Sequence, residues 1–416
     1  MPLLIADYYK IFGMHCIRVC LTSLAVLIFS TAASAQPKHS YLFVWAGDAD
    51  HTASDFLGVI DADPQSKTYG HIVASVPTGV VGTHPHHTED FIGPNNHLLA
   101  DGFHSGQTWL FDLNDPQHPR IITSFTEVGG FNHPHSYLRL PDNKLLTTFQ
   151  YSGEHHTGGL VEMSERGKLI KRGSAADPTV GDDKIFPYAV LPLPKLDVAV
   201  STSTDMDQNN KAATAQWIQI WRLSDLKLKK TIALEPGPGG KQNQLTGEPR
   251  LLQDGSVYVH TFQCGLYLLR RINTDSPTVK LVHTFKGQYC GVPIRTGEAQ
   301  LQLWLQPVPE EHALLSLDIN DPEHPKELSR VTLPDDEGPH WAAIDPSGTR
   351  VVLNSSGYVK GHRLWLVNLD RATGKLALDE NFRDPDDHKP GIDMNGKSWP
   401  HGFKGNAVPH GTVFSR

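Results

Sequence analysis

Histidine follows proline at five places in this chain, and at four of them the surrounding residues share one local pattern. The histidines of this pattern are His86 with His87, His135, His340 and His410. Neutral imidazole binds Zn²⁺, Cu²⁺ and Fe²⁺, and three or four imidazoles can hold any of these ions. A donor set without thiolate does not favour a closed structural zinc site or a copper(I) site. These histidines could therefore hold a metal ion, provided that the fold brings them together.

An internal repeat supplies the elements that would position them. Residues 111–119, Phe-Asp-Leu-Asn-Asp-Pro-Gln-His-Pro, reappear as residues 317–325, Leu-Asp-Ile-Asn-Asp-Pro-Glu-His-Pro. Asp before Pro is pushed out of the helical region and Pro fixes φ, so each copy ends a strand and starts a corner. A Pro-His pair, a proline turn and a short β-rich run follow each copy. The repeat therefore predicts short strands separated by tight corners.

The same unit can be followed around the whole chain. Its seven start positions are His87, His135, Tyr188, Arg250, Ile294, His340 and His410. Propeller blades of four short strands take about 40–50 residues each, which matches this spacing. The last start leaves a single strand before the chain ends, and three strands near the N-terminus would complete that blade. We predict an all-β, seven-bladed β-propeller, residues 36–416, closed by N-terminal strands that pair with the C-terminal strand in one blade.

In this frame the Pro-His positions fall on blades one, two, six and seven, which are consecutive around the ring. The innermost strands line the central channel, so these histidines are expected on one arc near its mouth. One Pro-His pair alone would more simply be a turn in which the ring caps a backbone carbonyl. Four of them on consecutive blades favour a metal site. Tyr188 and Arg250 share the repeat position and would line the channel or pack within the fold.

Other polar residues could join this site. Glu89 lies two residues after His87, where it could supply an oxygen ligand or orient a ligand from behind. His104 and His133 are further histidines that could reach the same region. His401 repeats the Pro-His-Gly of the last strand but lies outside the repeat frame.

The N-terminus has the layout of a secretory signal peptide over residues 1–35: two basic residues, an apolar run and small residues at the cleavage positions. Cleavage would remove Cys16 and Cys20 and leave Cys264 and Cys290, which either pair as a disulfide or remain free. We expect a periplasmic or secreted protein with no membrane insertion after cleavage. The formal net charge of −8 provides no electrostatic footprint for nucleic acid or anionic lipid.

Several stretches resemble the selenium-binding protein / methanethiol oxidase family. They are residues 54–61, 86–88, 110–113, 200–203, 338–341 and the end of the chain from residue 374 to His410. The resemblance implies a seven-bladed propeller with a histidine-bound copper, and oxidation of small thiols by O₂ to an aldehyde, sulfide and peroxide. It implies as candidate ligands His86, His87, His135, His340 and His410. Export fits the periplasmic bacterial oxidases of that family.

The sequence leaves several functions open. The first hypothesis is a periplasmic copper oxidoreductase that takes a small thiol and O₂. The second is a metal-binding protein or metallochaperone for zinc or copper, without catalysis. The remaining alternatives are a four-histidine iron oxygenase and a propeller that acts only as a scaffold. No protein partner is indicated.

Overall fold

The computed structural model describes residues 39–153, 156–180, 185–206, 215–297, 301–355 and 359–416. The predicted signal peptide, residues 1–35, lies outside these residues, as do Cys16 and Cys20. Residues His39–Arg416 make up one unit of the chain. In this described part, no helix is long and apolar enough to cross a membrane.

Almost all regular structure in the described residues is β-strand, with two single-turn 3₁₀ helices at Pro194–Leu196 and Pro309–Glu311. The strands are β1 (Tyr41–Asp48), β2 (Ser54–Asp61), β3 (Ile72–Val81), β4 (Pro85–Thr88), β5 (His97–Gly102), β6 (Gln107–Asp112), β7 (Arg120–Phe125), β8 (Glu127–Val128), β9 (Phe131–Arg139), β10 (Leu145–Ser152), β11 (His156–Met163), β12 (Leu169–Ser174), β13 (Pro187–Leu193), β14 (Val198–Ser203), β15 (Trp217–Arg222), β16 (Lys227–Ala233), β17 (Thr246–Leu251), β18 (Val257–Thr261), β19 (Gly265–Arg270), β20 (Thr278–Thr284), β21 (Ile294–Arg295), β22 (Leu303–Val308), β23 (Ala313–Asp318), β24 (Lys326–Thr332), β25 (Pro339–Ile344), β26 (Arg350–Ser355), β27 (Arg363–Leu369), β28 (Leu376–Leu378), β29 (Ile392–Asp393), β30 (Lys397–Ser398), β31 (Lys404–Gly405) and β32 (Ala407–Phe414).

All of these strands except β30 and β31 form seven antiparallel sheets of four or five strands, arranged as the blades of a propeller, and β30 pairs with β31 in a separate two-stranded sheet. Numbered from the innermost strand outward, the first six blades are β4 to β7, β9 to β12 with β8 inside β9, β13 to β16, β17 to β20, β21 to β24, and β25 to β28 with β29 beside β27. The seventh blade runs β32, β1, β2, β3. The predicted all-β, seven-bladed propeller is confirmed.

The seventh blade combines both ends of the described chain. Strand β32 pairs with β1 in antiparallel register, with Phe414 opposite Leu42. Leu42 also belongs to an apolar cluster that includes Val352 and Leu366 of the sixth blade. The C-terminal strand therefore lies innermost in a sheet that three N-terminal strands complete.

The core lies between neighbouring blades. Middle strands such as β14 are buried at every position, because each blade packs against a blade on either side. The outermost strands are half exposed: β12 alternates between exposed and partly buried residues. Trp45, Trp109 and Trp304 are among the largest fully buried side chains of this core.

The innermost strands share a local irregularity that positions the site. In β4, β9, β13, β17 and β25 the pairing with the next strand slips by a bulge near the start of the strand. Proline is tolerated there because the inner edge of a blade leaves its backbone N–H side unpaired. A bulge re-aims the side chains next to it. Proline followed by a bulge therefore explains why the Pro-His pairs recur where they do.

Candidate metal centre

Three of the predicted histidines converge at the inner strands. His86, His87 and His135 each offer one ring nitrogen, and these nitrogens all lie within 4.8 Å of one another. The rings are buried, with residue exposures of 3%, 3% and 0%. His86 and His87 come from β4 and His135 from β9, so two adjacent blades supply the group.

His340 and His410 adjoin this group from the sixth and seventh blades. The ring centroid of His410 lies 4.3 Å from that of His86 and 4.8 Å from that of His340. The five candidate ligands thus form one contiguous set of imidazoles around the axis. The tightest part of the set is His86, His87 and His135, which we call the inner triad.

The tautomer of His135 leaves one nitrogen available. Its Nδ1 lies 2.8 Å from the backbone carbonyl oxygen of Tyr188, so Nδ1 carries the proton and donates. Nε2 is then an unprotonated, buried nitrogen, and no described residue hydrogen-bonds to it. Buried polar atoms are normally paired, so an unpaired imidazole nitrogen calls for an explanation. A metal ion on Nε2 would supply the missing partner.

The neighbouring histidines support the same fit. Nδ1 of His86 and Nδ1 of His410 are also buried and without a hydrogen-bond partner among the described residues. Three such nitrogens in one imidazole group match the donor set that divalent copper, zinc and iron accept. The residues present therefore fit a bound transition-metal ion.

Burial keeps these imidazoles neutral. It lowers the pKa of His135 to about 3 and that of His340 to about 4. The pKa values of His86, His87 and His410 are also lowered well below the ordinary value, first by burial and then by the neighbouring histidines. The neutral ring is the form that binds metal, so the site is ready for an ion at neutral pH.

Two tyrosine hydroxyls contact ring nitrogens of the candidate ligands. The hydroxyl of Tyr188 lies 3.3 Å from Nε2 of His87, and that of Tyr289 lies 2.9 Å from Nδ1 of His340. The ring of Tyr188 packs 3.9 Å from that of His135. The predicted channel residue Tyr188 therefore lies directly against two members of the inner triad.

An apolar wall covers the histidines. Phe103, Tyr151 and Phe186 form a buried cluster with Met206 packed against it. Phe103 faces the triad, with its ring centroid 6.0 Å from that of His86. Phe103 therefore screens one side of the triad with an apolar ring.

Glu89, predicted as a ligand or an orienting residue, has other partners. Its two carboxylate oxygens accept hydrogen bonds from the Arg139 guanidinium at 2.7 and 3.1 Å, and from the backbone N–H of Leu99. Burial raises its pKa to about 7, although Arg139 acts in the opposite direction. The structure therefore places Glu89 in a buried ion pair behind β4 rather than among the ligands.

The remaining predicted histidines lie outside the triad. His133 pairs through Nδ1 with Asn132 and packs on Phe103. His104 packs edge-on against His84. His401 lies near the outer edge of the seventh blade, where Nδ1 is 2.7 Å from the Ser75 hydroxyl on β3. The Pro-His-Gly likeness of His401 to the last strand is therefore one of sequence alone: His401 lies in a turn, whereas His410 lies within β32.

Arg250 is not at the repeat position that the sequence suggested. In the third blade the register shifts after Pro187, and in the fourth it shifts after Thr246. Gly247 therefore corresponds to Tyr188, and Arg250 lies three residues further along β17. The sequence prediction placed the repeat position of the fourth blade directly after Pro249. In this blade, however, the bulge follows Thr246 and not a proline. The same register places His86, which directly follows Pro85, at the repeat position of the first blade.

Arg250 is instead part of a charged cluster. Its guanidinium lies 3.0 Å from Asp90 and 3.2 Å from Glu248. Its positive charge also lowers the pKa of His87, but by less than burial and the three neighbouring histidines do. Arg250 thus borders the site electrostatically without joining the triad.

One buried histidine near the axis was missed. His260 on β18 is fully buried, and its Nδ1 accepts a hydrogen bond from the backbone N–H of Glu248. It occupies the space that Gly247 leaves, since a Cβ on Gly247 would be 2.1 Å from the Cε1 atom of His260. Its Nε2 has no partner among the residues described. A glycine where neighbouring blades carry a large side chain was the signal in the sequence.

Cys264 and Cys290 form a disulfide, with Cα atoms 5.1 Å apart. Cys290 directly follows Tyr289, and its backbone N–H donates to the carbonyl of Phe262. The disulfide therefore fixes the segment that places the Tyr289 hydroxyl against His340. Of the two outcomes that the sequence left open for these cysteines, the structure has the paired one.

Comparison with known proteins gives two sequence relatives. The chain is 24% identical over 322 residues to a methanethiol oxidase from Hyphomicrobium sp., which covers 72% of each protein. It is 27% identical over 143 residues to a methanethiol oxidase from Ruegeria pomeroyi, which covers 32% of each. No protein-family model matches the chain.

Solved structures agree on the fold. A hypothetical selenium-binding protein from Sulfolobus tokodaii superposes with a TM-score of 0.71 at 17% identity, covering 92% of this chain and 94% of that one. A periplasmic gluconolactonase from Pseudomonas aeruginosa superposes with a TM-score of 0.57 at 12% identity, covering 91% and 99%. The resemblance seen in the sequence is confirmed: this chain is similar in sequence to methanethiol oxidases and in fold to a selenium-binding protein.

Proposed function

We propose that this protein is an exported, copper-dependent oxidoreductase that oxidises a small thiol with O₂ at the inner triad. The observation that carries the proposal is the inner triad itself, three buried imidazoles with ring nitrogens within 4.8 Å of one another. It occurs in a chain that is similar to a methanethiol oxidase over 322 residues. Zinc and iron fit the same donors, so copper is the proposed metal on the strength of the oxidase likeness.

The proposed reaction is RCH₂SH + O₂ + H₂O → RCHO + H₂S + H₂O₂. The carbon attached to sulfur is oxidised by two electrons, its C–S bond breaks, and water supplies the aldehyde oxygen. O₂ takes up the two electrons and becomes peroxide. A bound copper ion would supply the one-electron exchange with O₂ that side chains cannot perform.

The chain's own residues hold and orient the components. His86, His87 and His135 would be the ligands, and the Tyr188 carbonyl fixes the tautomer of His135 through Nδ1. The Tyr188 hydroxyl beside His87 can hold a proton at the edge of the site. Phe103 covers the triad, and this apolar wall suits the alkyl group of a small thiol.

Export is supported by two features. The signal-peptide pattern at residues 1–35 would direct secretion. The disulfide between Cys264 and Cys290 suits an oxidising compartment such as the periplasm. Fractionation of cells that produce the full chain, with N-terminal sequencing of the mature protein, tests this part of the proposal.

The burial of the histidines favours a second candidate, a periplasmic metal-binding protein that holds zinc or copper without catalysis. His340 and His410 are only 4% and 6% exposed and could close the coordination of an ion in the triad. A fully closed ligand set binds metal but leaves no position for a substrate. The two candidates therefore differ in whether a thiol reaches the ion.

The deciding experiment is elemental analysis of the purified full chain, with thiol-dependent oxygen uptake measured on the same samples. A His135→Ala/His340→Ala variant is compared with wild type, and His118→Ala/His324→Ala is the matched control, since both of these histidines lie in exposed corners. Copper and oxygen uptake that disappear only in the first variant would support the oxidase. Zinc without oxygen uptake would support the metal-binding protein. Absence of metal after reconstitution would refute both.

A further inference from the structure

We infer that His84 and His104 form a second, weaker metal-binding site at the mouth of the channel, which passes a divalent ion inward to the triad. This inference rests on the proposed role of the triad as a metal site. The outer site would bind the same class of ion as the triad, a transition-metal dication that accepts imidazole nitrogen. What is new is the route by which the ion arrives.

The first observation is an unbroken series of imidazoles from solvent to the buried group. His104 is exposed, His84 is partly buried and His86 is buried. Ring centroids are 4.3 Å apart between His104 and His84, and 5.8 Å apart between His84 and His86. An ion could move along this series without passing a step that lacks a nitrogen donor.

The second observation is that the backbone holds the outer pair side by side. The N–H of Phe103 donates to the carbonyl of His84, and the N–H of His104 donates to the carbonyl of Thr83. Thr83 is anchored in turn, since its N–H and hydroxyl both donate to Oδ2 of Asp55 at 2.6 Å. The two imidazoles are therefore positioned by structure and do not meet by chance at a flexible surface.

The third observation concerns the ring nitrogens. In the described part of the chain, no hydrogen bond or ion pair uses a ring nitrogen of His84 or His104. By contrast, two exposed histidines elsewhere are engaged: His118 pairs with Asp115, and His324 with Asp321. Free imidazole nitrogens at the mouth are available to an incoming ion.

A third histidine lies close by. His51 is exposed and its Nδ1 would be 3.7 Å from a Cβ on Gly82, two residues before His84.

The backbone of His84 shapes the choice of variant. Its φ is +57°, in the left-handed region, where asparagine is better tolerated than alanine. The test therefore uses His84→Asn/His104→Ala, with the single variant His104→Ala as a second probe because His104 is exposed. His118→Ala/His324→Ala is the matched control, and His135→Ala reports on the triad.

The experiment adds Cu²⁺ to metal-free full-length protein and follows tryptophan fluorescence by stopped flow, with calorimetry for stoichiometry. The ring of Trp341 lies 5.0 Å from that of His87, so an ion in the triad should quench it. Wild type and control should bind one tight and one weaker ion. His84→Asn/His104→Ala should keep the tight ion, lose the weaker one and fill the triad about tenfold more slowly.

Unchanged stoichiometry and unchanged filling rate in His84→Asn/His104→Ala would overturn the inference. Loss of the weaker ion with an unchanged filling rate would refute the transfer role. His135→Ala should lose the tight ion and keep the weaker one. If His135→Ala keeps tight binding that His84→Asn/His104→Ala abolishes, the triad is not the metal site and the proposed function fails, while the outer site stands.

Discussion

Nδ1 of His135 and the backbone carbonyl oxygen of Tyr188 are 2.8 Å apart, which joins the inner strands of the second and third blades at the candidate site. The hydroxyl of Thr148 donates to the same carbonyl at 2.7 Å. This shared acceptor determines which nitrogen of His135 carries its proton. The ligand nitrogen is therefore presented by a contact between blades, not within one.

The contact between His135 and Tyr188 allows metal binding and folding to be tested separately. In His135→Asn, the amide nitrogen can still donate to the Tyr188 carbonyl, but no group replaces Nε2. We expect metal affinity to fall about 10–100-fold or more, with an unfolding free energy of the metal-free protein within about 1 kcal/mol of wild type. Elemental analysis and denaturant unfolding measure the two quantities. Full metal content in His135→Asn would show that Nε2 is not a ligand.

The fit between Gly247 and His260 predicts a steric effect. In Gly247→Ala the new Cβ would overlap the His260 ring, and overpacking of this kind costs about 1–3 kcal/mol. Gly297→Ala is the control, because a Cβ there meets no atom within 4 Å. Guanidinium unfolding measures both. The double variant Gly247→Ala/His260→Ala should be less destabilised than the sum of its single variants, and strict additivity would contradict the overlap.

The ion pair between Glu89 and Arg139 predicts a stability effect without a metal effect. Arg139→Met leaves the buried Glu89 carboxylate without its counter-ion, which should cost about 3 kcal/mol of unfolding free energy. The double variant Glu89→Gln/Arg139→Met should recover much of this loss. Metal content should stay at the wild-type level in both variants. Loss of metal in the double variant, with stability retained, would show that Glu89 is a metal ligand.

Glu337 predicts a pH dependence of stability. Burial raises its pKa from 4.5 to about 7, against hydrogen bonds from the Ser355 hydroxyl and the backbone N–H of Arg363. The folded protein therefore binds this proton more tightly than the unfolded chain, and the stability it contributes at low pH is lost as pH rises from 4.5 to about 7.

The variant Glu337→Gln should lack this loss. Unfolding free energies of both proteins at about pH 5 and pH 8 give the comparison. The pH-dependent difference between them should be on the order of 2 kcal/mol, with wild type losing more on the alkaline side. Parallel pH profiles for wild type and variant would show that Glu337 titrates normally in the fold.

Much of the architecture could be read from the sequence because the repeat marks the same strand in every blade. All seven predicted start positions fall on the inner strands of the blades. Turn chemistry is local, so an Asn-Asp-Pro corner is visible without tertiary information. The prediction of a propeller depended on this local signal, repeated around the chain.

The details of the site were less accessible. Glu89 is adjacent to the ligands in sequence, yet Arg139 of the next blade takes its carboxylate. His401 repeats a local motif but contacts Ser75 on an outer strand. In both cases the deciding partner is distant in the chain, and local spacing carries no information about it.

By itself, the sequence determined the fold class, the number of blades and the group of histidines that belongs at the axis, because proline, turns and strand periodicity act over a few residues. Only the tertiary structure decided which ring nitrogens are free, where the bulge places each inner side chain and that His260 fills the space beside Gly247. These depend on register and on contacts between blades, which arise only when segments far apart in the chain pack together.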